Sequence, residues 1–266
     1  MVQTYKSHLL SKQQLTHNVY LFRFGLDEPN ELIFTPGQYM ILFVPQSEDE
    51  PASPGLQRGE PICRLYSIAS LASPNSALAG EGGTNSFELL IEIIPNGLAS
   101  EFLLKLDSAT EVTFQGPAGQ FTLAQNNKDK VFMVTGTGIA PVRSILLTAL
   151  TNSQPTTHNS SPITNYQLLW GLPTFKDVYF LEEFKQLAAV HSNFTFTICL
   201  SRETKLSSIP EEDRQFFKLG HVNDNIQLDL TNTDYYLCGS PKVIESLKSY
   251  LAANNVEPNS IIFEKF

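Results

Sequence analysis

A glycine turn between an apolar stretch and a candidate helix is the first feature that could bind a ligand. It reads Thr135-Gly136-Thr137-Gly138-Ile139-Ala140-Pro141, and proline is well tolerated in the first turn of a helix, where its missing N–H leaves no bond unmade. Such a turn presents bare backbone amides and the positive end of a helix dipole to an anion. Pro141 stands where the Rossmann fingerprint has its third glycine. Taken alone, the turn fits a dinucleotide site or an ordinary strand-to-helix connection.

Five further groups combine turn residues with side chains that contact ligands. They are Arg64-Leu65-Tyr66-Ser67-Ile68-Ala69-Ser70, Gly97-Leu98-Ala99-Ser100, Gly116-Pro117-Ala118-Gly119-Gln120-Phe121, Cys238-Gly239-Ser240-Pro241 and Glu264-Lys265-Phe266. Three of these groups have a plain structural alternative: a surface salt bridge for Arg64 and barrel packing for Tyr66 and Ser67, a helix N-cap for Ser100, and a buried apolar thiol for Cys238.

The elements that must position the groups of the first half are short strands. Candidates lie at 18–24, 38–44, 65–69, 87–94 and 111–115, and alternation is visible in Phe87-Glu88-Leu89-Leu90-Ile91-Glu92-Ile93. One helix is predicted over 100–106, with Ser100 as its N-cap. Such a pattern favours a small antiparallel barrel. Two polar stretches, 46–61 and 72–86, are predicted to be long surface loops.

The second half alternates strands with helices, which predicts a mainly parallel sheet with helices on both faces. Strands are expected at 131–135, 166–170, 194–200, 235–238 and 261–263, and helices at 141–150, 177–190 and 241–253. The polar run 124–129 is the expected linker. We therefore divide the chain into domains at 1–125 and 126–266.

Composition excludes several classes of function. The 266 residues carry a net charge of −9 without any Lys/Arg-rich block, which disfavours binding to nucleic acid or to an anionic membrane. No apolar run approaches the ~20 residues that span a bilayer, and no secretory signal is evident. The three cysteines form no C-x-x-C pair, so we expect neither a metal site nor an iron–sulfur cluster in this chain. Sparse, unpaired cysteines are typical of the cytoplasm.

In this order and spacing, the Arg-x-Tyr-Ser-x-x-Ser segment, the Gly-Thr-Gly-Ile-Ala-Pro turn and the other groups resemble the ferredoxin–NADP(+) reductase superfamily over essentially the whole chain. The resemblance implies a six-stranded antiparallel flavin barrel followed by a five-stranded parallel nucleotide domain. It also implies FAD, held non-covalently between the two domains.

The resemblance assigns the flavin to residues of the first half. The implied FAD-binding residues are Arg64, Leu65, Tyr66, Ser67, Gly97, Leu98, Ala99 and Ser100. A planar guanidinium such as that of Arg64 can fork two N–H bonds onto a pyrophosphate, and the Tyr66 ring can stack on the isoalloxazine. The Ser67 hydroxyl is implied to lie close to flavin N5.

The resemblance assigns the nucleotide to the second half. Its implied contacts are Thr135, Gly136, Thr137, Gly138, Ser201, Arg202, Cys238 and Gly239. Cys238 is implied to lie beside nicotinamide C4, and Glu264 and Phe266 match a terminal Glu-x-aromatic pattern in which the aromatic ring covers the flavin. Catalytic roles thus fall to Ser67, Cys238, Glu264 and Phe266. The Ser201-Arg202 pair favours NADP(H), because an NAD site favours an acidic residue; NAD(H) stays open, since His221 stands where some relatives have a second arginine.

The implied activity is hydride transfer between NADPH and FAD, with electrons passing to ferredoxin, flavodoxin or a similar carrier. Residues 1–124 hold 6 basic and 13 acidic residues, net −7, which weakens docking of an acidic carrier unless a local basic patch exists. Two alternatives remain. One is an NADH-dependent reductase component serving an oxygenase or a cytochrome. The other is a non-catalytic flavin-binding regulatory subunit, although such subunits typically add a cysteine cluster that is missing here.

Overall fold

The computed structural model describes residues 2–46, 57, 59–72, 84–152 and 164–265. Most of the two predicted loops at 46–61 and 72–86 lies outside the described residues, as does Phe266. Contacts divide the chain into two compact units. The first unit is Met1–Leu123 with Ala140–Thr151, and the second unit is Ala124–Ile139 with Asn152–Phe266. Domains at 1–125 and 126–266 stay a prediction.

A six-stranded antiparallel sheet forms the first unit. Its strands are β1 (Gln3–Gln14), β2 (Val19–Glu28), β3 (Tyr39–Val44), β4 (Ile62–Ser67), β5 (Ser86–Glu92) and β6 (Val112–Ala118). They follow the order β4-β3-β6-β1-β2-β5, and helix α1 (Leu98–Lys105) follows β5 in the chain. A bridge between Ile68, just after β4, and Leu89 of β5 joins the two edge strands. The sheet therefore curls until its edges meet, as predicted for a barrel.

Alternating side chains fill the interior of this curled sheet. Met40, Leu42 and Val44 of β3 are buried, while the residues between them are only half-buried. Phe24 lies with its ring centroid 5.7 Å from that of Phe87 and 4.9 Å from that of Phe114. Edge-to-face and offset aromatic pairs each add about 0.5–1.5 kcal/mol beyond the burial of their area.

The second unit is built on a parallel sheet. Its strands are β7 (Asp129–Thr135), β8 (Tyr166–Leu172), β9 (Phe194–Leu200), β10 (Phe217–Leu219), β11 (Thr233–Gly239) and β12 (Ile261–Lys265), in the order β10-β9-β8-β7-β11-β12. The helices of the second half are α2 (Ile139–Asn152), α3 (Leu181–Val190) and α4 (Pro241–Ala253). Strand β11 is buried along its whole length, as expected for the inner strand of a covered parallel sheet.

The predicted fold class is confirmed, with differences in detail. The parallel sheet has six strands instead of the five that the resemblance implied, because the three-residue β10 pairs with β9. Helix α3 begins at Leu181 and not at 177. The Asp177 carboxylate accepts hydrogen bonds from the Thr174 N–H (2.9 Å) and hydroxyl (2.8 Å), which closes a short 3-10 turn that ends before the helix.

Candidate functional site

Strand β4 carries the Arg-x-Tyr-Ser segment on the edge of the first unit's sheet. Arg64 and Tyr66 share one face of the strand and Leu65 and Ser67 the other, because side chains alternate along a strand. The Arg64 side chain is exposed, and its Nη1 donates to the carbonyl of Cys63 at 2.9 Å. Four further N–H groups of this guanidinium can therefore address a ligand.

Tyr66 is half-buried and packs against the core of the first unit. Burial raises the pKa of its phenol, while the positive charge of Arg64 opposes that rise. The hydroxyl is therefore protonated at neutral pH and can donate a hydrogen bond. Ser67, also half-buried, is the last residue of β4 and pairs with Tyr39 of β3.

Helix α1 begins two residues earlier than predicted, and Ser100 is not its N-cap. Gly97 occupies the N-cap and no side chain caps the helix. Ser100 is buried in the first turn, where its Oγ accepts the N–H of Ile94 at 2.9 Å. This bond fixes the turn that precedes the helix. The first backbone N–H groups of α1 have no partner within the helix, so they are available to an anion.

The Thr135–Pro141 segment forms the predicted strand-turn-helix. Strand β7 ends at Thr135, Gly136–Gly138 makes a 3-10 turn, and α2 begins at Ile139. Gly136 has a φ of +55°, which favours glycine, and a side-chain carbon there would meet no atom within 4 Å. The turn therefore leaves open space beside its backbone, as a cradle for a phosphate requires.

The end of β11 lies directly against this turn. A side-chain carbon on Gly138 would fall 2.5 Å from the Cys238 carbonyl oxygen, and one on Gly239 would fall 2.5 Å from the Thr135 hydroxyl. Five of the residues assigned to the nucleotide, Thr135, Gly136, Gly138, Cys238 and Gly239, are thus brought together at the carboxyl edge of the sheet, where open α/β sheets bind ligands.

Cys238 is fully buried on β11, and β12 places Glu264 beside it in the sheet. Burial raises the pKa of the Cys238 thiol well above its ordinary value, and the Glu264 carboxylate raises it further. The thiol is therefore neutral at physiological pH and is no nucleophile. Phe266, which forms the terminal Glu-x-aromatic pattern with Glu264, lies outside the described residues.

Two aromatic residues that sequence reasoning missed hold the glycine turn. The Trp170 indole donates to the Gly136 carbonyl at 3.0 Å and the Tyr179 hydroxyl donates to the same oxygen at 3.1 Å. The two rings meet edge to face at 4.8 Å. Both bonds depend on contacts between separate segments, and the sole available signal was that Trp170 is the only tryptophan of the chain.

The Ser201-Arg202 pair follows β9 at the same edge of the sheet. The backbone N–H groups of Ser201 and Arg202 donate to the carbonyls of Leu172 and Pro173 at 3.0 and 2.9 Å, and both side chains are exposed. Glu203 turns back, and its carboxylate accepts the Phe175 N–H at 3.2 Å. The Arg202 side chain is thus exposed to solvent, whereas the Glu203 carboxylate is hydrogen-bonded to the backbone of Phe175.

Within the described ranges, no group of three or more His, Cys, Asp and Glu side chains could hold a metal ion. The described helices also include none with the length and apolar character needed to cross a bilayer.

Two protein families match successive parts of the chain. The oxidoreductase FAD-binding domain matches residues 6–123 and the oxidoreductase NAD-binding domain matches residues 132–249. Among curated proteins, the toluate 1,2-dioxygenase electron transfer component of Pseudomonas putida is 27% identical over 98% of this chain and 67% of its own length. NADH-cytochrome b5 reductase 1 of Lodderomyces elongisporus is 27% identical over 91% of this chain and 72% of its own length. The chain thus spans about two thirds of the length of these relatives.

A solved structure agrees with these matches. The cytochrome P450 reductase GcoB of Amycolatopsis superimposes with a TM-score of 0.77 at 25% identity, covering 100% of this chain and 70% of that one. Together with the two domain matches and the two observed sheets, it establishes that the chain belongs to the ferredoxin–NADP(+) reductase superfamily, with an oxidoreductase FAD-binding domain followed by an oxidoreductase NAD-binding domain.

Proposed function

We propose that this chain is a flavin-dependent reductase that takes a hydride from a nicotinamide dinucleotide and passes electrons to a separate protein carrier. The observation that carries the proposal is the succession of an FAD-binding and an NAD-binding oxidoreductase domain in one chain. FAD, when bound, supplies the hydride acceptance and the one-electron release. The protein contributes binding, orientation and the exclusion of water.

The flavin residues proposed here each have a group suited to their task. The exposed guanidinium of Arg64 and the uncapped N-terminus of α1 are suited to the pyrophosphate, with Leu98 to Ser100 contributing backbone N–H groups. The protonated Tyr66 combines a ring face for stacking with a hydroxyl for the ribitol or phosphate. The Ser67 hydroxyl is the proposed partner of flavin N5.

On the second unit, the proposed nucleotide site is the surface formed by the glycine turn and the end of β11. Gly136 to Gly138 present the turn amides to the pyrophosphate, and Cys238 places a small, neutral, polarisable group beside the nicotinamide. Burial, with the Glu264 carboxylate adding to its effect, raises the pKa of that thiol and keeps it protonated. A neutral thiol lets the uncharged ring of the reduced nicotinamide approach closely, because no charged thiolate has to be removed from water.

The proposed nucleotide is NADPH. The exposed Arg202 and Ser201 are suited to a 2′-phosphate, and the Glu203 carboxylate already binds the Phe175 N–H instead of being available to a ribose hydroxyl. NADH is the second candidate, because a relative of similar identity is named an NADH-cytochrome b5 reductase. Turnover with each nucleotide, repeated in Arg202→Ala and in the control Arg23→Ala, separates the two. An NADPH preference that survives Arg202→Ala would remove Arg202 from the site.

The proposed acceptor is a small electron-carrier protein. Ferredoxin and flavodoxin are the first class to test, and an oxygenase component or a cytochrome is the second. The second class is supported by relatives named a dioxygenase electron transfer component and a cytochrome P450 reductase. The acidic excess of residues 1–124 also disfavours an acidic carrier. Rates of NADPH-driven reduction of a ferredoxin, a flavodoxin and a cytochrome b5 at several salt concentrations distinguish these classes.

Rapid mixing of the flavin-loaded protein with NADPH tests the activity itself. We expect a yellow protein whose flavin absorbance bleaches on mixing. The Ser67→Ala and Cys238→Ala variants should keep FAD and lose about 10²-fold or more in the bleaching rate, because both groups are proposed to orient the reacting rings. Ser11→Ala, at an exposed position of β1, is the matched control. A wild-type protein that binds no FAD would refute the proposed function, and full activity of both variants would refute the residue roles.

A further inference from the structure

A buried arginine of α2 belongs to the first unit and has no role in the site described so far. Arg143 is 7% exposed, and its Nη1 donates to the Ala69 carbonyl at 2.7 Å and to the Glu88 carboxylate at 2.8 Å. The Glu88 side chain is 24% exposed. Burying a guanidinium and a carboxylate costs free energy that their attraction and hydrogen bonds must offset.

Glu88 is also the centre of the contact that closes the curled sheet. Its carbonyl accepts the Ala69 N–H at 2.8 Å, and its own N–H donates to the Ser70 hydroxyl at 3.2 Å. The Ile68 N–H donates to the Gln38 carbonyl at 2.9 Å. We call residues 68–70 and their contacts with Glu88 the closing seam. This seam begins at the residue after Ser67, so whatever fixes the seam also fixes the end of β4.

Closure alone does not require the ion pair. Backbone bonds and the Ile68–Leu89 bridge already join the two edges, and a well-packed apolar pair often stabilises a fold as well as a buried ion pair does. What the Arg143 guanidinium adds is direction, because one nitrogen binds both the Ala69 carbonyl and the Glu88 carboxylate. Residue 69 is then held on two sides, since its N–H donates to the Glu88 carbonyl.

We propose that Arg143 is a positioning residue of the flavin site, which holds the Ser67 hydroxyl in place through Ala69 and Glu88. The inference rests on the proposed function, because Ser67 matters only where a flavin reacts. Arg143 itself touches neither flavin nor nucleotide in this proposal. Its loss misplaces a reacting group and leaves both binding sites formed.

Three variants and a control test this role. Arg143→Met removes the guanidinium, Arg143→Lys keeps a positive charge without the guanidinium, and Arg143→Met with Glu88→Gln removes both charges. Arg214→Met is the control, because the Arg214 Nε donates to a backbone carbonyl, that of Ile209, in the second unit. For each protein, FAD content, the flavin absorption spectrum, the nucleotide Kd and the rate of flavin reduction at saturating NADPH are measured.

We expect Arg143→Met and the double variant to retain FAD and to keep the nucleotide Kd within about twofold of the wild-type value. Their rate of flavin reduction should fall by about tenfold or more, since small misplacements of reacting groups are costly. Their flavin absorption bands should shift, and Arg143→Lys should recover much of the rate. Should Arg143→Met fail to fold, the double variant, which leaves no uncompensated carboxylate, and Arg143→Lys give the same comparison.

Wild-type rates per bound FAD and an unshifted spectrum in the folded double variant would overturn the proposal, even if its melting temperature fell. That outcome assigns the ion pair to stability alone. It differs from failure of the proposed function, in which the wild-type protein itself binds no FAD or shows no reduction by nucleotide.

Discussion

A side-chain carbon on Gly138 would lie 2.5 Å from the carbonyl oxygen of Cys238 and 2.8 Å from its carbonyl carbon, closer than such atoms approach in proteins. Two segments about 100 residues apart in sequence therefore touch through their backbones. Only glycine permits this contact, and it makes the turn after β7 and the end of β11 one continuous surface. The nucleotide proposed for this surface depends on both segments at once.

Gly138→Ala should weaken nucleotide binding without removing FAD. The added carbon must push the turn away from β11, because the opposing atoms are backbone and cannot rotate aside. We expect the Kd for the nucleotide to rise about tenfold or more, equivalent to about 1.4 kcal/mol. Gly25→Ala is the control, since the nearest atoms to its new carbon would belong to the side chains of His8 and Leu10 and not to the backbone. Titration of the flavin protein with nucleotide measures both, and an unchanged Kd in Gly138→Ala would contradict the proposed site.

Removal of the Tyr179 hydroxyl should loosen the glycine turn. The Gly136 carbonyl accepts from Tyr179 and Trp170, so Tyr179→Phe leaves one donor and Tyr179→Phe with Trp170→Phe leaves neither. A neutral hydrogen bond contributes about 0.5–1.5 kcal/mol, which corresponds to a loss of nucleotide affinity of about two- to tenfold for the single variant and more for the double. Tyr20→Phe, on β2 of the first unit, should bind nucleotide as the wild type does. Equal affinities for all four proteins would show that the turn does not need these donors.

Helix α4 shows what local sequence can predict. The observed range, 241–253, is the predicted one, because Ser240 and Pro241 mark its start and apolar residues recur at helical spacing. Strand β9 was also predicted to the residue, since apolar residues alternate with threonines before three apolar residues that end at a polar turn. The glycine turn and the residues of β4 could be proposed as site residues because they form short contiguous motifs.

What the sequence could not predict depends on partners far along the chain. Strand β1 was missed, because only Tyr5, Ser7 and Leu9 are buried while most of its other residues are exposed, and pairing with β2 and β6 holds it. Ser100 resembles an N-cap locally, but its hydroxyl is taken by the Ile94 N–H once Gly97 opens the helix. The ion pair of Arg143 with Glu88 links residues 55 positions apart, and neither residue has a local pattern that marks it.

Cysteine alkylation should distinguish the three thiols. Cys63 is exposed, whereas Cys199 and Cys238 are buried. Burial raises the pKa of Cys199 to about 12 and that of Cys238 well above its usual range, and alkylation requires the thiolate. We expect iodoacetamide at pH 8 to label Cys63 alone in the native protein and all three cysteines in denaturant, as read by peptide mass spectrometry. Rapid native labelling of Cys238 would contradict a neutral thiol in the site, and Cys63→Ser should remove the fast reaction.

The buried ion pair of Lys130 with Asp234 should make the free energy of unfolding depend on pH in the acid range. Both side chains are 2–3% exposed and 2.8 Å apart, and Asn126 donates to the same carboxylate at 2.9 Å. Burial works to raise the pKa of Asp234, but hydrogen bonds from Lys130 and Asn126, together with the charges of Lys130 and Lys128, outweigh it and lower the pKa below its ordinary 3.8. Because the folded pKa is depressed, the stabilisation is complete above the unfolded value and is lost as pH falls below about 3.8 through the folded pKa.

Asp234→Asn should therefore lower the free energy of unfolding by about 3–5 kcal/mol at pH 7, since it leaves the Lys130 ammonium buried without its counter-charge. The double variant Lys130→Met with Asp234→Leu should lower the free energy of unfolding much less, because it leaves no buried charge without a counter-charge. Chemical denaturation across pH measures these differences, and the gap between wild type and Asp234→Asn should narrow only in the acid range. If wild type and Asp234→Asn have equal free energies of unfolding at neutral pH, water compensates the charge of Lys130. The ion pair would then contribute nothing to the stability of the second unit.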